Sequence, residues 1–192
     1  PQGGWRLDRA LVLALARKES RFDPRARSSV GAYGLMQVMP TTAAYVSDDP
    51  KLAREPDALF DPGLNLRLGQ QYVEYLFNNA AISGDLLRAV AAYNGGPSPV
   101  SRTVQALGPE ADSLLVIESI PVPQSRQYVE EVVASYWIYR QMMGLDTPTL
   151  DAVASGARLV PASLDFKPEP AAPADATATV TAATPAATAA MP

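Results

Sequence analysis

The stretch Ala14-Leu-Ala-Arg-Lys-Glu-Ser-Arg-Phe-Asp-Pro24 closes an apolar segment with one carboxylate, Glu19. The residues before it are almost all apolar and Asp8 is a suitable N-cap, so the pattern predicts a buried helix over residues 9–20. Because the residue before a proline is pushed out of helical geometry, Pro24 predicts that the helix ends shortly after Glu19. Glu19 is therefore expected in the last turn.

The orientation of Glu19 follows from helical periodicity. At about 100° per residue, Val12 and Leu15 lie within roughly 40° of Glu19, whereas Arg17 and Arg21 lie about 160° away. The acid therefore points with the buried face, and burial together with the free carbonyls of the helix C-terminus favours its neutral form. A carboxylic acid that stays protonated near neutral pH can act as a general acid. The alternative is a surface glutamate in a helix end rich in arginine and lysine.

The composition excludes several classes of enzyme. The chain has 192 residues, 47% of them hydrophobic and 19% charged, with no histidine and no cysteine. Without these residues there is no Ser-His-Asp triad, histidine metal ligand, thiolate nucleophile or disulfide. An enzyme of this composition must use carboxylates, hydroxyls, amides or backbone groups. The formal net charge is −4 and the basic residues form no stripe, so nucleic acid is not an expected partner.

The sequence contains no candidate membrane segment. The longest apolar run, residues 10–16, is far too short to span a bilayer, so no integral membrane segment is expected. The chain starts at Pro1 rather than methionine, which indicates that it is processed or excerpted from a longer protein, and no signal peptide is visible.

Residues 28–40, Ser-Ser-Val-Gly-Ala-Tyr-Gly-Leu-Met-Gln-Val-Met-Pro, follow the first helix. Gly31 and Gly34 permit tight turns or a close backbone approach to a ligand. Gln37 is a lone amide among apolar residues; it either caps a nearby helix or reaches for a ligand, and the residues alone leave both open. Pro40 suits the first position of a further helix.

The rest of the chain predicts an all-α fold. No segment shows sustained strand alternation, and residues 47–60 are predicted to be a loop. Residues 168–192 are almost wholly Ala, Pro and Thr, so we expect a disordered tail there, with residues 149–167 as a C-terminal extension and residues 1–148 as the helical domain. Helices are expected over residues 41–46, 62–78, 86–93, 100–107, 109–118 and 124–143, with Asp61 and Asp85 as N-caps and Gly144 after the last one.

Four short segments occur in order along the chain: Glu19-Ser20, Gly31-Ala-Tyr-Gly34-Leu-Met-Gln37-Val-Met39-Pro40, Ala92-Tyr93-Asn94-Gly-Gly-Pro97, and Glu118-Ser-Ile-Pro121 with Ser125-Arg126-Gln-Tyr128-Val129. Together they resemble the motifs of the lytic murein transglycosylases, and in particular the C-terminal catalytic domain of the large soluble periplasmic enzymes (SLT family 1). The likeness runs from about residue 7 to residue 145. It implies a lysozyme-like (goose-type) helical fold for the catalytic domain at residues 1–148.

The resemblance implies cleavage of the β-1,4 bond between N-acetylmuramic acid and N-acetylglucosamine in peptidoglycan glycan strands. It implies no hydrolysis, because the muramoyl C6 hydroxyl attacks C1 and leaves a 1,6-anhydromuramoyl end. Glu19 would protonate the leaving glycosidic oxygen and then take the proton of the C6 hydroxyl, while the substrate's own N-acetyl group stabilises the positive charge between the steps. A standard glycosidase uses two carboxylates, whereas this reaction needs one. No metal or organic cofactor is implied.

The first two motifs imply further roles around Glu19. By this resemblance, Ser20 would orient Glu19 or contact the substrate's N-acetyl group. Gln37 and Met39 would line the saccharide groove, with the Gly34 backbone close beside them.

The later motifs imply the remaining walls of the site. Tyr93 would lie near the acid and the sugar at the cleavage point, and Asn94 would shape that turn; the alternative for Tyr93 is a core tyrosine. Glu118 would bind substrate from the opposite wall, and its alternative is a solvated acid at a helix end. Tyr128 and Arg126 are expected to hold the last helix in place.

Two motifs depart from the family pattern. The third usually continues Asn-Ala-Gly-Pro-Gly, whereas this chain has Asn94-Gly-Gly-Pro-Ser98-Pro99, and the fourth usually has Glu-Thr-Arg, whereas this chain has Gln124-Ser-Arg126. Neither departure involves Glu19, Gln37 or Tyr93, so both are expected to affect subsite preference rather than activity. The resemblance also implies a bacterial periplasmic location, and in the large relatives a helical superhelix precedes this domain.

Two other functions stay open from the sequence. A goose-type-lysozyme-like hydrolase would need a second acid roughly 6.5–9.5 Å from Glu19 across the sugar, which Asp48 or Asp49 could supply if the 47–60 segment folds over the cleft. A glycan-binding module that has lost catalysis is the second alternative, and the intact Glu19-Ser20 pair argues against it.

Overall fold

The computed structural model describes residues 3–108 and 110–166, and this part of the chain is built from α-helices joined by short turns. Its only β-type pairings are isolated bridges such as that between Tyr33 and Val38, which confirms the all-α prediction. The helices are α1 (Arg9–Ser20), α2 (Pro40–Ser47), α3 (Lys51–Arg54), α4 (Pro62–Phe77), α5 (Leu86–Gly95), α6 (Pro97–Leu107), α7 (Ser113–Ser119), α8 (Pro123–Met142) and α9 (Pro148–Ala154).

Helix α1 lies in the core and packs along α8. Most of its residues from Ala10 to Ala16 are buried, as the apolar run predicts, and α5 packs on the same long helix. The first residues of α1 contact the end of α8 around Arg140, whereas its last turn contacts the start of α8 around Tyr128. The two helices are therefore antiparallel, and the ends of α1 meet opposite ends of α8.

The predicted N-caps are present. The carboxylates of Asp8, Asp61 and Asp85 accept hydrogen bonds from the backbone N–H groups of the first turns of α1, α4 and α5. Each carboxylate satisfies a donor that has no partner inside its helix. The starts of these three helices could therefore be read from the sequence.

Other predicted boundaries were wrong. Residues 47–60 are not a loop, since they contain α3 and a 3₁₀ turn at Pro56–Phe60. Helix α5 continues past Tyr93 to Gly95, and α6 starts at Pro97 rather than at residue 100 because proline is favourable at the first helical position. Helix α7 begins at Ser113 rather than at residue 109, since Asp112 supplies its N-cap.

Residues 148–166 fold back onto the helical domain. Ala162 N–H donates to the Gly84 carbonyl (3.0 Å), and Leu86 N–H donates to the Val160 carbonyl (2.8 Å). The Trp137 indole donates to Thr149 Oγ1 at 2.9 Å. The C-terminal extension therefore packs as part of the same folded body. The expected tail at residues 168–192 lies outside the described residues.

Across residues 3–108 and 110–166, none of the helices combines the length and the apolar character that crossing a bilayer requires.

Candidate active site

Glu19 lies in the last turn of α1, as the sequence predicts. The helix ends at Ser20 because Arg21 adopts the left-handed conformation (φ 55°), and its N–H bonds back to the carbonyls of Ala16 and Arg17. Asp23 then accepts from Arg25 N–H at 2.8 Å, which makes it a turn residue around Pro24. The side chain of Glu19 is half-buried.

Tyr128 is the group that touches Glu19. Its hydroxyl, buried in the second turn of α8, donates a hydrogen bond to Glu19 Oε1. The ammonium of Lys18 lies 5.9 Å from the centre of the Tyr128 ring and forms an ion pair with Glu131. The sequence-based expectation was that Tyr128 holds the last helix in place, and the structure adds that its hydroxyl contacts the acid.

Burial raises the pKa of Glu19 above its ordinary value, and the hydrogen bond from Tyr128 and the charge of Lys18 offset part of that rise. Burial thus makes the neutral form easier to populate than in a free glutamate, which is the direction that a general acid needs. Burial, with the nearby Glu19 carboxylate, also raises the pKa values of Tyr93 and Tyr128 well above the ordinary range. Both phenols therefore keep their protons at neutral pH.

The loop between α1 and α2 forms a tight turn over α4. Tyr33 and Val38 exchange two backbone hydrogen bonds (3.1 and 3.0 Å), and the turn between them needs left-handed residues at Gly34 (φ 73°) and Gln37 (φ 46°). The Asn65 side chain, fully buried in α4, accepts from Met36 N–H (2.8 Å) and donates to the Tyr33 carbonyl (2.8 Å). Asn65 therefore fixes this loop on α4.

Glycine is required at position 34 by this packing. A Cβ there would lie 2.5 Å from both Asn65 Nδ2 and the Leu59 carbonyl oxygen. The close backbone approach that the sequence predicts at Gly34 is therefore made to the protein's own α4. A Cβ at Gly69 would likewise overlap the sulfur of Met36, so two glycines let the loop sit against the helix.

Gln37 and Met39 lie on the outer side of this loop. Both amide protons of Gln37 are used by the loop itself, since Nε2 donates to the carbonyls of Gly34 (2.9 Å) and Ala26 (3.2 Å). Only its carbonyl oxygen can therefore serve a ligand, as an acceptor. Met39 is 36% exposed at the residue that precedes α2, an exposure that suits a groove wall.

Ser20 does not bond to its neighbour Glu19. Its Oγ is 2.8 Å from the Leu35 carbonyl and 3.1 Å from the Ala16 carbonyl. A hydroxyl has a single proton to donate, and here the backbone carbonyls accept it. Ser20 thus joins the end of α1 to the loop, and its expected role, to orient Glu19 or to contact the substrate's N-acetyl group, stays a prediction.

Tyr93 and Asn94 lie in the last turn of α5. The Tyr93 hydroxyl donates to the Met36 carbonyl at 2.7 Å, which brings it beside the turn that α4 supports. Asn94 Oδ1 accepts from the Ser125 hydroxyl at 3.3 Å. Asn94 thus links α5 to the start of α8, close to Tyr128.

Glu118 is at the end of α7 and is exposed. Its carboxylate lies 3.8 Å from Arg126 Nε, while Arg126 Nη1 donates to the carbonyls of Glu118 and Ile120, both at 3.2 Å. Arg126 therefore holds the turn between α7 and α8, as expected. Glu118 keeps a carboxylate that a ligand can reach.

Asp48 and Asp49 follow α2. Asp48 takes the left-handed conformation that ends the helix, and Asp49 accepts from Lys51 N–H at 3.0 Å, which starts α3. In the described ranges, the acidic side chains do not gather in groups of three or more that could hold a metal ion.

The sequence did not predict that Tyr128 is the hydrogen-bond partner of Glu19. It also did not predict that Asn65 and Gly69 position the loop between α1 and α2 on α4. The sequence offers two signals for the loop: an amide on the apolar face of a helix pattern, and an isolated glycine inside that pattern, which marks close packing.

Comparisons with known proteins identify the family of this chain. Residues 2–115 match the family described as Transglycosylase SLT domain. The soluble lytic murein transglycosylase of Escherichia coli is 34% identical over 81% of this chain, and the chain spans only 24% of that relative's length. The crystal structure of the 70 kDa soluble lytic transglycosylase from Escherichia coli superposes with a TM-score of 0.67 at 34% identity, covering 80% of this chain and 25% of that one.

An inactive glutamate-to-glutamine mutant of the lytic transglycosylase Slt from Pseudomonas aeruginosa also superposes, with a TM-score of 0.64 at 34% identity over 72% of this chain and 22% of that one. The fold is thus the lysozyme-like fold of these enzymes, and the resemblance seen in the sequence is confirmed. The chain belongs to the transglycosylase SLT domain family.

Proposed function

We propose that this chain is the catalytic domain of a peptidoglycan lytic transglycosylase, a carbon–oxygen lyase that cleaves the β-1,4 bond between N-acetylmuramic acid and N-acetylglucosamine and leaves a 1,6-anhydromuramoyl end. The observation that carries the proposal is the half-buried Glu19, whose pKa is raised by burial and whose hydrogen-bond partner is the uncharged Tyr128. One carboxylate that can give and then take back a proton suffices for this reaction.

In the first step, Glu19 donates its proton to the leaving glycosidic oxygen as the C1–O4 bond breaks. The Glu19 carboxylate that remains accepts a hydrogen bond from Tyr128 and feels the charge of Lys18, and both favour the ionised form. In the second step, the C6 hydroxyl of the muramoyl residue attacks C1 and its proton passes to Glu19, so the acid is regenerated. The substrate's own N-acetyl group stabilises the positive charge between the two steps, and no water is consumed.

The other site residues would bind substrate. Met39 and the Gln37 carbonyl would line the saccharide groove, and Tyr93, with Asn94 beside it, would sit next to the sugar at the cleavage point. Ser20 and Gly34 would act through the loop that they hold rather than by contact with the reacting bond. The exposed Glu118 would contact substrate from the opposite wall.

The location and the domain limits are part of this proposal. Peptidoglycan strands lie outside the cytoplasmic membrane, so we place the enzyme in the periplasm of a bacterium. The longer relatives are consistent with a helical superhelix domain elsewhere in the full protein. Residues 1–148 would form the catalytic domain, with the extension from residue 149 packed on it through Thr149.

Mass spectrometry of the muropeptides that the chain releases from purified peptidoglycan tests the proposal. Anhydromuramoyl products, each one water lighter than a hydrolysed product, are expected from the parent and not from Glu19→Gln. Products with a reducing muramic acid would mean a hydrolase and would contradict the one-carboxylate reaction. Strands that are bound but left intact by the parent would mean a binding module.

A further inference from the structure

Four tyrosines form a continuous row that starts beside Glu19. The Tyr93 ring lies 5.4 Å from that of Tyr72, Tyr72 stacks on Tyr75 at 6.1 Å, and Tyr75 meets Tyr45 edge-to-face at 5.3 Å. The Glu19 carboxylate raises the pKa of Tyr93, so the first ring of the row is within electrostatic reach of the acid. The row crosses from α5 over α4 to α2.

The rings become more exposed with distance from the acid. Tyr93 and Tyr72 are half-buried, Tyr75 is 38% exposed and Tyr45 is 67% exposed. A single exposed aromatic residue is ordinary on a protein surface. A ring that is two-thirds exposed, yet joined by ring contacts to the neighbourhood of a proposed catalytic acid, indicates a binding surface instead.

The outermost ring lies on the helix that follows a residue of the proposed saccharide groove. Met39, expected to line that groove, directly precedes α2, the helix that carries Tyr45. Because the groove wall and the exposed ring belong to one element, a strand that passes Met39 can continue onto the outer tyrosines.

We propose that Tyr45 and Tyr75 form an additional saccharide subsite, which takes a sugar of the glycan strand beyond the sugars at the cleaved bond. This inference rests on the proposed function. One side of a pyranose ring presents C–H groups, and the face of a tyrosine ring carries partial negative charge that attracts them, while its hydroxyl can still hydrogen-bond to a sugar hydroxyl. The occupant is thus a neutral sugar face rather than a charged group.

Binding to a chain that cannot cleave its ligand tests the subsite. In the Glu19→Gln background, isothermal titration calorimetry would compare a peptide-free N-acetylglucosamine–N-acetylmuramic acid tetrasaccharide with strands several times longer. Tyr45→Ala should weaken long-strand binding on the order of tenfold, and more than it weakens tetrasaccharide binding. Tyr45→Phe keeps the ring face and should bind the long strand within about twofold of its parent.

Two further variants keep the result interpretable. Trp5→Ala removes a 41% exposed aromatic residue near the opposite end of α1 and should leave both affinities as they are. Tyr45→Leu keeps apolar bulk without the aromatic face and should resemble Tyr45→Ala, and it serves in place of Tyr45→Ala if that variant unfolds at a lower temperature.

Long-strand affinity that is the same in the parent, Tyr45→Ala and Tyr45→Leu would overturn the subsite, as would an equal loss for both ligands. A failure of the proposed function would differ from both of these outcomes. In that case the parent would release no anhydromuramoyl product, whatever the Tyr45 variants do to long-strand affinity.

Discussion

Helix α1 carries one carboxylate at each end, and the protein surrounds the two differently. Asp8 at the start is buried, caps Ala10 N–H at 2.8 Å and forms an ion pair with the buried guanidinium of Arg140. Tyr136 and Asp165 complete that network. Glu19 at the other end has a phenol as its hydrogen-bond partner, and the cation whose charge acts on it is the partly exposed Lys18.

The comparison shows that surroundings decide what a carboxylate does. At the Asp8 end a buried cation balances the charge, and the carboxylate joins α1 to α8 and the C-terminal extension. At the Glu19 end, burial exceeds the available stabilisation of the charge, so its pKa rises. One end therefore serves stability, and the other is the end to which we assign proton transfer in the proposed function.

The largest expected effect is on activity at the Glu19 end. Glu19→Gln removes the transferable proton and should lower the rate of anhydromuramoyl release by roughly a thousandfold or more. Its free energy of unfolding at neutral pH should be equal to or greater than that of the parent, because glutamine carries no charge to bury. Product mass spectrometry and urea unfolding measure the two quantities.

The pH dependence of that stability difference provides a control. The folded-state pKa of Glu19 is raised above its unfolded value, so its stabilising contribution is complete below the unfolded value and is lost as pH rises through the folded value. Any advantage of Glu19→Gln over the parent should therefore shrink as the pH is lowered. An advantage that grows toward acid pH would contradict the burial argument.

The opposite pattern is expected at Asp8. Asp8→Asn keeps an N-cap side chain but leaves the buried Arg140 without its closest anion, which should lower the free energy of unfolding by about 3 kcal/mol. The activity of Asp8→Asn, measured under conditions in which the variant is folded, should stay near that of the parent. Asp112→Asn, at the N-cap of α7, is the matched control and should change stability by less than about 0.5 kcal/mol. An equal loss in both variants would mean that the ion pair with Arg140 adds nothing.

The same contrast explains what could be read from the sequence. Asp8, Asp61 and Asp85 are identifiable as caps because capping is local, and Pro24 limits how far the helix can extend, which puts Glu19 near its end. The contact between Tyr128 and Glu19 joins residues 109 positions apart, and no local pattern encodes it. The four-residue α3 is too short for periodicity to detect, and the need for glycine at position 34 depends on Asn65, which lies on another helix.

In the loop between α1 and α2, a substitution where the backbone packs on α4 should cost more stability than one at an exposed turn. Gly34→Ala forces a Cβ against Asn65 and Leu59 at φ 73° and should cost about 2–4 kcal/mol of stability, through left-handed strain and overpacking together. Gly31→Ala is the matched control, since φ is 85° but a Cβ would meet nothing within 4 Å; strain alone should cost about 1–2 kcal/mol. Denaturant midpoints measure the difference, and equal losses would show that the packing against α4 is loose.

Tyr128→Phe should have a smaller effect, visible chiefly in pH dependence. The lost hydrogen bond favoured the ionised form of Glu19, so the pKa of Glu19 should rise and the decline in rate at alkaline pH should move to higher pH. The rate at the pH optimum should fall by about tenfold, because the acid is held less well. A profile of kcat/KM against pH measures both effects, and an alkaline limb that moves to lower pH would contradict the assigned role.

The smallest expected effect comes from Lys18, whose charge favours the ionised form of Glu19 less than Tyr128 does. Lys18→Gln should therefore move the alkaline limb in the same direction as Tyr128→Phe, but by less. Lys18 is partly exposed, so dissolved salt screens its charge and the displacement should shrink between low and high ionic strength. The displacement caused by Tyr128→Phe comes from a buried hydrogen bond and should persist in salt.

Glu131→Gln is the matched control, because it frees Lys18 from its ion pair. It should leave the alkaline decline in rate at the same pH or move it to a lower pH. If the Lys18→Gln displacement persisted unchanged in high salt, the cation would act by contact rather than through its charge, and the two ends of α1 would be more alike than the structure indicates.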